Sequence, residues 1–93
     1  MSIADQIRQK LIEKFSPQEL MVRDDSARHV GHRAARPEGE THFDVRIVSA
    51  RFEGLSRIER QRLIHVALAE ELKSRVHSLS LVTLTPAEVW QEH

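Results

Sequence analysis

Apolar residues return every three or four positions at the start of the chain. Ile3, Ile7, Leu11 and Phe15, with Ala4 beside them, share one face of a predicted helix, and Arg8, Gln9, Lys10, Glu13 and Lys14 fill the other. Ser2 can cap that helix, with Asp5 three residues on as a weak capping box. Ser16-Pro17 ends it, because the residue before a proline avoids helical geometry. The spacing then shortens to two. In ELMVRDD, Leu20 and Val22 share one face of a short strand. THFDVRIVS is the clearest strand, with Phe43, Val45 and Ile47 alternating with His42, Asp44, Arg46 and Val48.

The two strands suggest an antiparallel hairpin. The stretch between them, ARHVGHRAARPEGETHF from Ala27 to Phe43, is far longer than the usual two to five residues of a hairpin loop. Long connections in small domains tend to be functional or disordered. RFEGL reads as a turn, with Gly54 at the bend. Ser56 and Glu59 form a capping box ahead of a helical run whose apolar stripe is Ile58, Leu63, Ile64, Ala67, Leu68 and Leu72. The run to Lys73 is long, and a break near Ile58–Glu59 would divide it into two helices.

SRVHSLSLVTL returns to period two, with His77, Leu79, Leu81 and Thr83 on one face and Ser78, Ser80, Val82 and Leu84 on the other. Thr85-Pro86-Ala87-Glu88 is a further helix start, a cap with proline at the first helical position. Trp90 on this last helix is expected to cover one end of the core. The order is α-β-β-α(α)-β-α. The third strand, reached by a helical crossover, lies most simply beside the second and parallel to it. The expected fold is α+β, a three-stranded mixed sheet with its helices packed on one face.

Composition narrows what such a domain does. Ninety-three residues make one small domain, 1–93, with about 40% apolar and 30% charged residues. Fourteen basic residues balance fourteen acidic ones, so the overall excess of positive charge typical of a nucleic-acid binder is missing. The chain has no cysteine, hence no disulfide, no thiol nucleophile and no thiolate ligand of its own. No apolar run approaches a membrane span, and MSIADQIRQK lacks a signal-peptide core. The expected location is cytoplasmic, without membrane attachment. Nothing forms a nucleophile motif, a phosphate loop or an HExxH helix, so the pattern points away from an enzyme.

The chemistry that remains is histidine. Six are present, three of them (His29, His32 and His42) in the long connection. A lone histidine on a strand face is more often packed or hydrogen-bonded than ligating. His65 and His93 are read that way, as structural or simply exposed.

The order of motifs decides more than any single residue. THFDVRIVSARFEGLSRIERQRLIHVALAEEL followed by VHSLSLVTLTPAEVW resembles the BolA family, and the match covers nearly the whole chain. The resemblance implies a fold similar to class II KH domains. It implies a partner, a monothiol glutaredoxin forming a heterodimer with this chain, and a [2Fe-2S] cluster shared between the two with glutathione, in iron–sulfur trafficking or iron regulation. No cofactor is expected in the isolated chain. Within the family one ligand is the histidine of the third-strand motif, matched here by His77 in VHSLSL. A second ligand, histidine or cysteine, comes from the long hairpin loop, and a cysteine-free chain falls in the histidine branch. Imidazole can replace thiolate at one iron of such a cluster. His32 is favoured because Gly31 leaves the backbone free to aim its ring. His29 and His42 remain rivals.

The resemblance also implies a second role, since some members are described as DNA-binding transcription regulators. Arg51, Arg57, Arg60 and Arg62 cluster around one helix start and are the candidate phosphate contacts. Class II KH domains hold nucleic acid through a GxxG loop, whereas FEGLSRIER carries Gly54 alone. Glu53 and Glu59 dilute the positive field, and a solvated charged face is the plainer reading of these arginines.

Overall fold

The computed structural model describes residues 2–24 and 42–91. Four α-helices and three strands follow in the order α1 (Ile3–Phe15), β1 (Glu19–Asp24), β2 (His42–Val48), α2 (Arg57–Ala67), α3 (Ala69–Ser74), β3 (Ser78–Leu84) and α4 (Pro86–Gln91). A 3-10 turn over Ala50–Phe52 precedes α2. The sheet order is β1-β2-β3, with β1 antiparallel and β3 parallel to β2. This is the mixed α+β arrangement that the alternating periods predict.

Each element forms where its local chemistry allows. The Ser2 hydroxyl accepts the Asp5 backbone N–H at 3.1 Å and starts α1. Ser16, before Pro17, ends it in the left-handed region at φ 44°. Gly54 makes the bend before α2 at φ 80°, where a side chain would be strained. Ser56 and Glu59 close a reciprocal capping box. Thr85 and Glu88 do the same at the start of α4, each backbone N–H donating to the other's side chain.

Alternation in the strands and the helical stripe then meet in one core. Ile7, Leu11 and Phe15 of α1 pack with Val22, Phe43, Val45 and Ile47 of the sheet and with Phe52, Ile64, Leu68 and Val76. The Phe15 and Phe52 rings stand 5.3 Å apart in a tilted contact. The other sheet face carries polar neighbours. Arg46 pairs with Glu19 at 2.9 Å, and Arg23 pairs with Asp44.

Three expectations are corrected. The helical run does not break near Ile58–Glu59, which lie in the first turn of α2; it breaks at Leu68 (φ −105°, ψ 21°), whose side chain is buried in the core. Ile58 and Leu63 do not face the core; they are 62% and 42% exposed. The inward row is Arg60, Ile64, Leu68 and Glu71, three or four residues apart, with charged side chains at both ends. Trp90 does not cover the core either, being 81% exposed. A polar connection holds α4 in place of an apolar plug. Arg60 donates to Glu88 at 2.6 Å and to the Thr83 carbonyl at 3.0 Å.

Candidate functional site

Strand register brings the chemistry of this chain to one end of the sheet. The last residue of β1, Asp24, lies opposite Phe43, and the first residue of β2, His42, lies opposite Ser78. The parallel pairing of β2 and β3 therefore sets both their beginnings beside the end of β1. Asp24 and His42 are the described residues on either side of residues 25–41. His77 immediately precedes β3, one residue from the partner of His42. A helical crossover and an antiparallel hairpin thus deliver two histidines, far apart in sequence, to neighbouring positions.

The two differ in surroundings. His77 is exposed, and among the described residues no hydrogen bond or ion pair engages its side chain. His42 is half-buried and already takes part in an interaction. His29 and His32 lie outside the described residues. Among the described residues no three histidine or acidic side chains stand close enough to hold a metal ion. His77 is thus a reachable imidazole without a ligand set around it.

Arg75, which the sequence reading did not single out, lies two residues before His77 in the turn that feeds β3. Its Nε is enclosed and has no hydrogen-bond partner. Buried polar groups are nearly always satisfied, so this one calls for an explanation. The only signal in the sequence is a basic residue next to VHSLSL.

The four candidate arginines are not one patch. Arg51, Arg57 and Arg62 are exposed, but Arg60 is only 9% exposed. Its guanidinium donates to the carbonyls of Leu55 and Thr83 and to the Glu88 carboxylate, and it lies 6.0 Å from the centre of the Phe52 ring. Arg60 therefore serves the fold and is removed from the phosphate-binding set. The Arg60 guanidinium, and then the Thr85 backbone N–H, hold the Glu88 carboxyl below its usual range. Arg51 lines a groove of about 770 Å³ between α1 and α2, with Lys10, Lys14, Phe15, Leu63 and Val66. No histidine lines that groove.

Comparison with known proteins settles what this arrangement belongs to. The family model described as BolA-like protein matches residues 11–88. This chain belongs to the BolA family. BolA-like protein 1 of Homo sapiens is 51% identical over 87 residues, which cover 94% of this chain and 60% of that protein. SufE-like protein 1 of Arabidopsis thaliana is 52% identical over 87 residues, covering 89% of this chain and 24% of that protein. The chain thus spans about a quarter and three fifths of these two relatives. The solved BolA domain of SufE1 from Arabidopsis thaliana superposes with a TM-score of 0.84 at 49% identity, covering 95% of this chain and 96% of that one. The mixed sheet and its helical layer are therefore the BolA fold. A further BolA-family relative, named DNA-binding transcriptional regulator BolA, from Vibrio cholerae, is 40% identical over 97% of this chain and 80% of that protein. No helix among the described residues is long and apolar enough to cross a membrane.

Proposed function

We propose that this BolA-family chain is an adaptor for iron–sulfur cargo in the cytoplasm. It binds a monothiol glutaredoxin and takes part, through histidine, in a [2Fe-2S] cluster held between the two proteins. One observation supports the reading above the others. His77 is exposed, and among the described residues its side chain is unengaged, at the end of the sheet that also holds Asp24 and His42, the residues flanking 25–41. A cysteine-free chain can offer imidazole but no thiolate, so thiolates from the partner and from glutathione complete the set.

His77 and one histidine of the connection, His32 by preference and His29 or His42 otherwise, would be the ligands from this side. The bound cluster supplies electron-transfer and trafficking chemistry. The chain's own part is to present neutral imidazole at a fixed place and to dock its partner, with no turnover. An imidazole must shed its proton to ligate, so the mixed complex should come apart on acidification. Titrating a cluster-loaded glutaredoxin with this protein, followed by absorption and EPR, tests the reading. The expected result is a new spectrum that His77→Ala abolishes or shifts. The same spectrum with His77→Ala as with the native chain refutes the assignment. His32→Ala, His29→Ala and His42→Ala then identify the second ligand.

A DNA-binding regulator is the second reading, favoured by the name of the Vibrio cholerae relative and by the exposure of Arg51, Arg57 and Arg62. Duplex binding that falls steeply with salt, and less steeply after Arg57→Ala with Arg62→Ala, would support it. No binding at low salt would dismiss it. Arg60 is unsuitable as a probe, because replacing it disturbs the fold.

A further inference from the structure

We infer that Arg75 is an anion-recognition residue of the His77 site, receiving a carboxylate carried by the molecules that complete that site. The inference rests on the adaptor reading and deepens it. Three observations carry it. The Arg75 Nε is enclosed without a hydrogen-bond partner. Among the described residues no ion pair compensates the guanidinium, and Glu71, one helical turn earlier, is committed to Lys10 at 2.9 Å. Arg75 also stands in the turn from α3 to β3, at the end of the sheet where His77 is exposed.

A guanidinium in this position is an unspent cation. Its Nε has lost water without gaining an acceptor, whereas the terminal Nη groups are not enclosed and stay open to a ligand. Arginine is never neutral in a protein, so the charge cannot be shed as a lysine's can. An arriving carboxylate would accept from the two terminal Nη groups of the planar fork, the enclosed Nε being out of its reach. Two sources fit this chemistry: a carboxylate of the thiol co-ligand glutathione, or an acidic side chain of the protein partner. Either would hold the partner next to His77 and fix its orientation. Arg75 is thus a positioning residue, not an iron ligand.

The test compares the native chain with Arg75→Gln, Arg75→Lys and His77→Ala. Each is mixed with a monothiol glutaredoxin, and the affinity is measured at two salt concentrations beside the visible spectrum of the assembled cluster. Arg75→Gln is expected to weaken the mixed complex about tenfold and to flatten its salt dependence, while the spectrum keeps its shape. Arg75→Lys should keep the salt dependence and restore only part of the affinity, since an ammonium lacks the fork. His77→Ala should change the spectrum instead.

A second arm repeats the assembly with glutathione whose carboxylates are esterified. If glutathione is the source, esterification weakens the native complex and adds nothing to Arg75→Gln. If the partner is the source, the Arg75→Gln deficit is the same with either form. Because the Arg75 side chain makes no hydrogen bond among the described residues, the melting temperature of Arg75→Gln should match the native value, which separates lost recognition from lost fold. Native affinity and native salt dependence in Arg75→Gln overturn the inference while leaving the adaptor reading intact. Failure of the native chain to form a mixed complex overturns both.

Discussion

The two ends of β3 handle their polar groups in opposite ways. At the carboxyl end, Arg60 bridges α2, β3 and α4, donating to the Thr83 carbonyl and the Glu88 carboxylate, while Thr85 and Glu88 cap each other. Charge meets countercharge there, and the connection lies largely out of water. At the amino end, His77 is exposed and unengaged, and the Arg75 Nε is enclosed without an acceptor. One end thus satisfies the buried Arg60 guanidinium, and the other leaves a single enclosed nitrogen of the partly exposed Arg75 without an acceptor. The closed end fixes where β3 lies. The open end uses that fixed strand to hold His77 in place.

The largest effect expected from this contrast is on the closed end. Arg60→Ala removes three hydrogen bonds, takes the side-chain donor from the Thr83 carbonyl and leaves Glu88 with only the Thr85 backbone N–H, so it should cost about 3 kcal/mol of stability. Urea unfolding measures it, and a loss below about 1 kcal/mol would mean that the bridge is incidental. Glu88→Gln is expected to cost less, about 1 kcal/mol, because a third of that carboxylate side chain remains in water.

The same bridge predicts a pH dependence. Glu88 titrates below its usual range in the folded chain because Arg60 favours its charged form. Its contribution is thus complete above the ordinary carboxylate range and fades as pH falls through that lowered value. Thermal melts from pH 7 to pH 2 should show a smaller acid-side decline in Glu88→Gln than in the native chain. An identical decline would assign acid sensitivity to other carboxylates.

The smallest effects belong to the open end. His77→Ala and Arg75→Met should each change stability by no more than about 0.5 kcal/mol, since neither native side chain makes a hydrogen bond or ion pair among the described residues. A loss as large as that of Arg60→Ala would erase the distinction between the two ends.

How much of this was legible beforehand follows from what periodicity reports. The period of two in Phe43, Val45 and Ile47 and the three- to four-residue spacing of Ile7, Leu11 and Phe15 encode which face is buried, and these side chains are buried. The caps at Ser2, Ser56 and Thr85 were readable because each is a local reaction of one side chain with a nearby N–H. The bend at Gly54 and the parallel placement of β3 were readable from turn chemistry and connection rules.

Arg60 was not legible. Hydropathy counts an arginine as surface, and only tertiary structure shows that it lies between Phe52, Thr83 and Glu88. Trp90 misled for the converse reason: an aromatic suggests a core, yet a polar bridge holds its helix. The break at Leu68 leaves no mark in ALAEEL, which contains neither glycine nor proline. At the candidate site, His77 came from motif resemblance and His42 from its place in the ETHF motif at the end of the long connection. Their adjacency came only from the register of strands joined by a long crossover. Arg75 needed atomic contacts, because an unsatisfied nitrogen has no sequence signature.

The most direct test of the central claim is pulsed EPR on the reduced mixed complex, prepared from glutaredoxin and this chain carrying 15N-labelled histidine. The account predicts hyperfine coupling from at least one directly bound imidazole nitrogen of this chain, with a component that His77→Ala removes. Coupling unaltered by His77→Ala, or no 15N coupling at all, would contradict it.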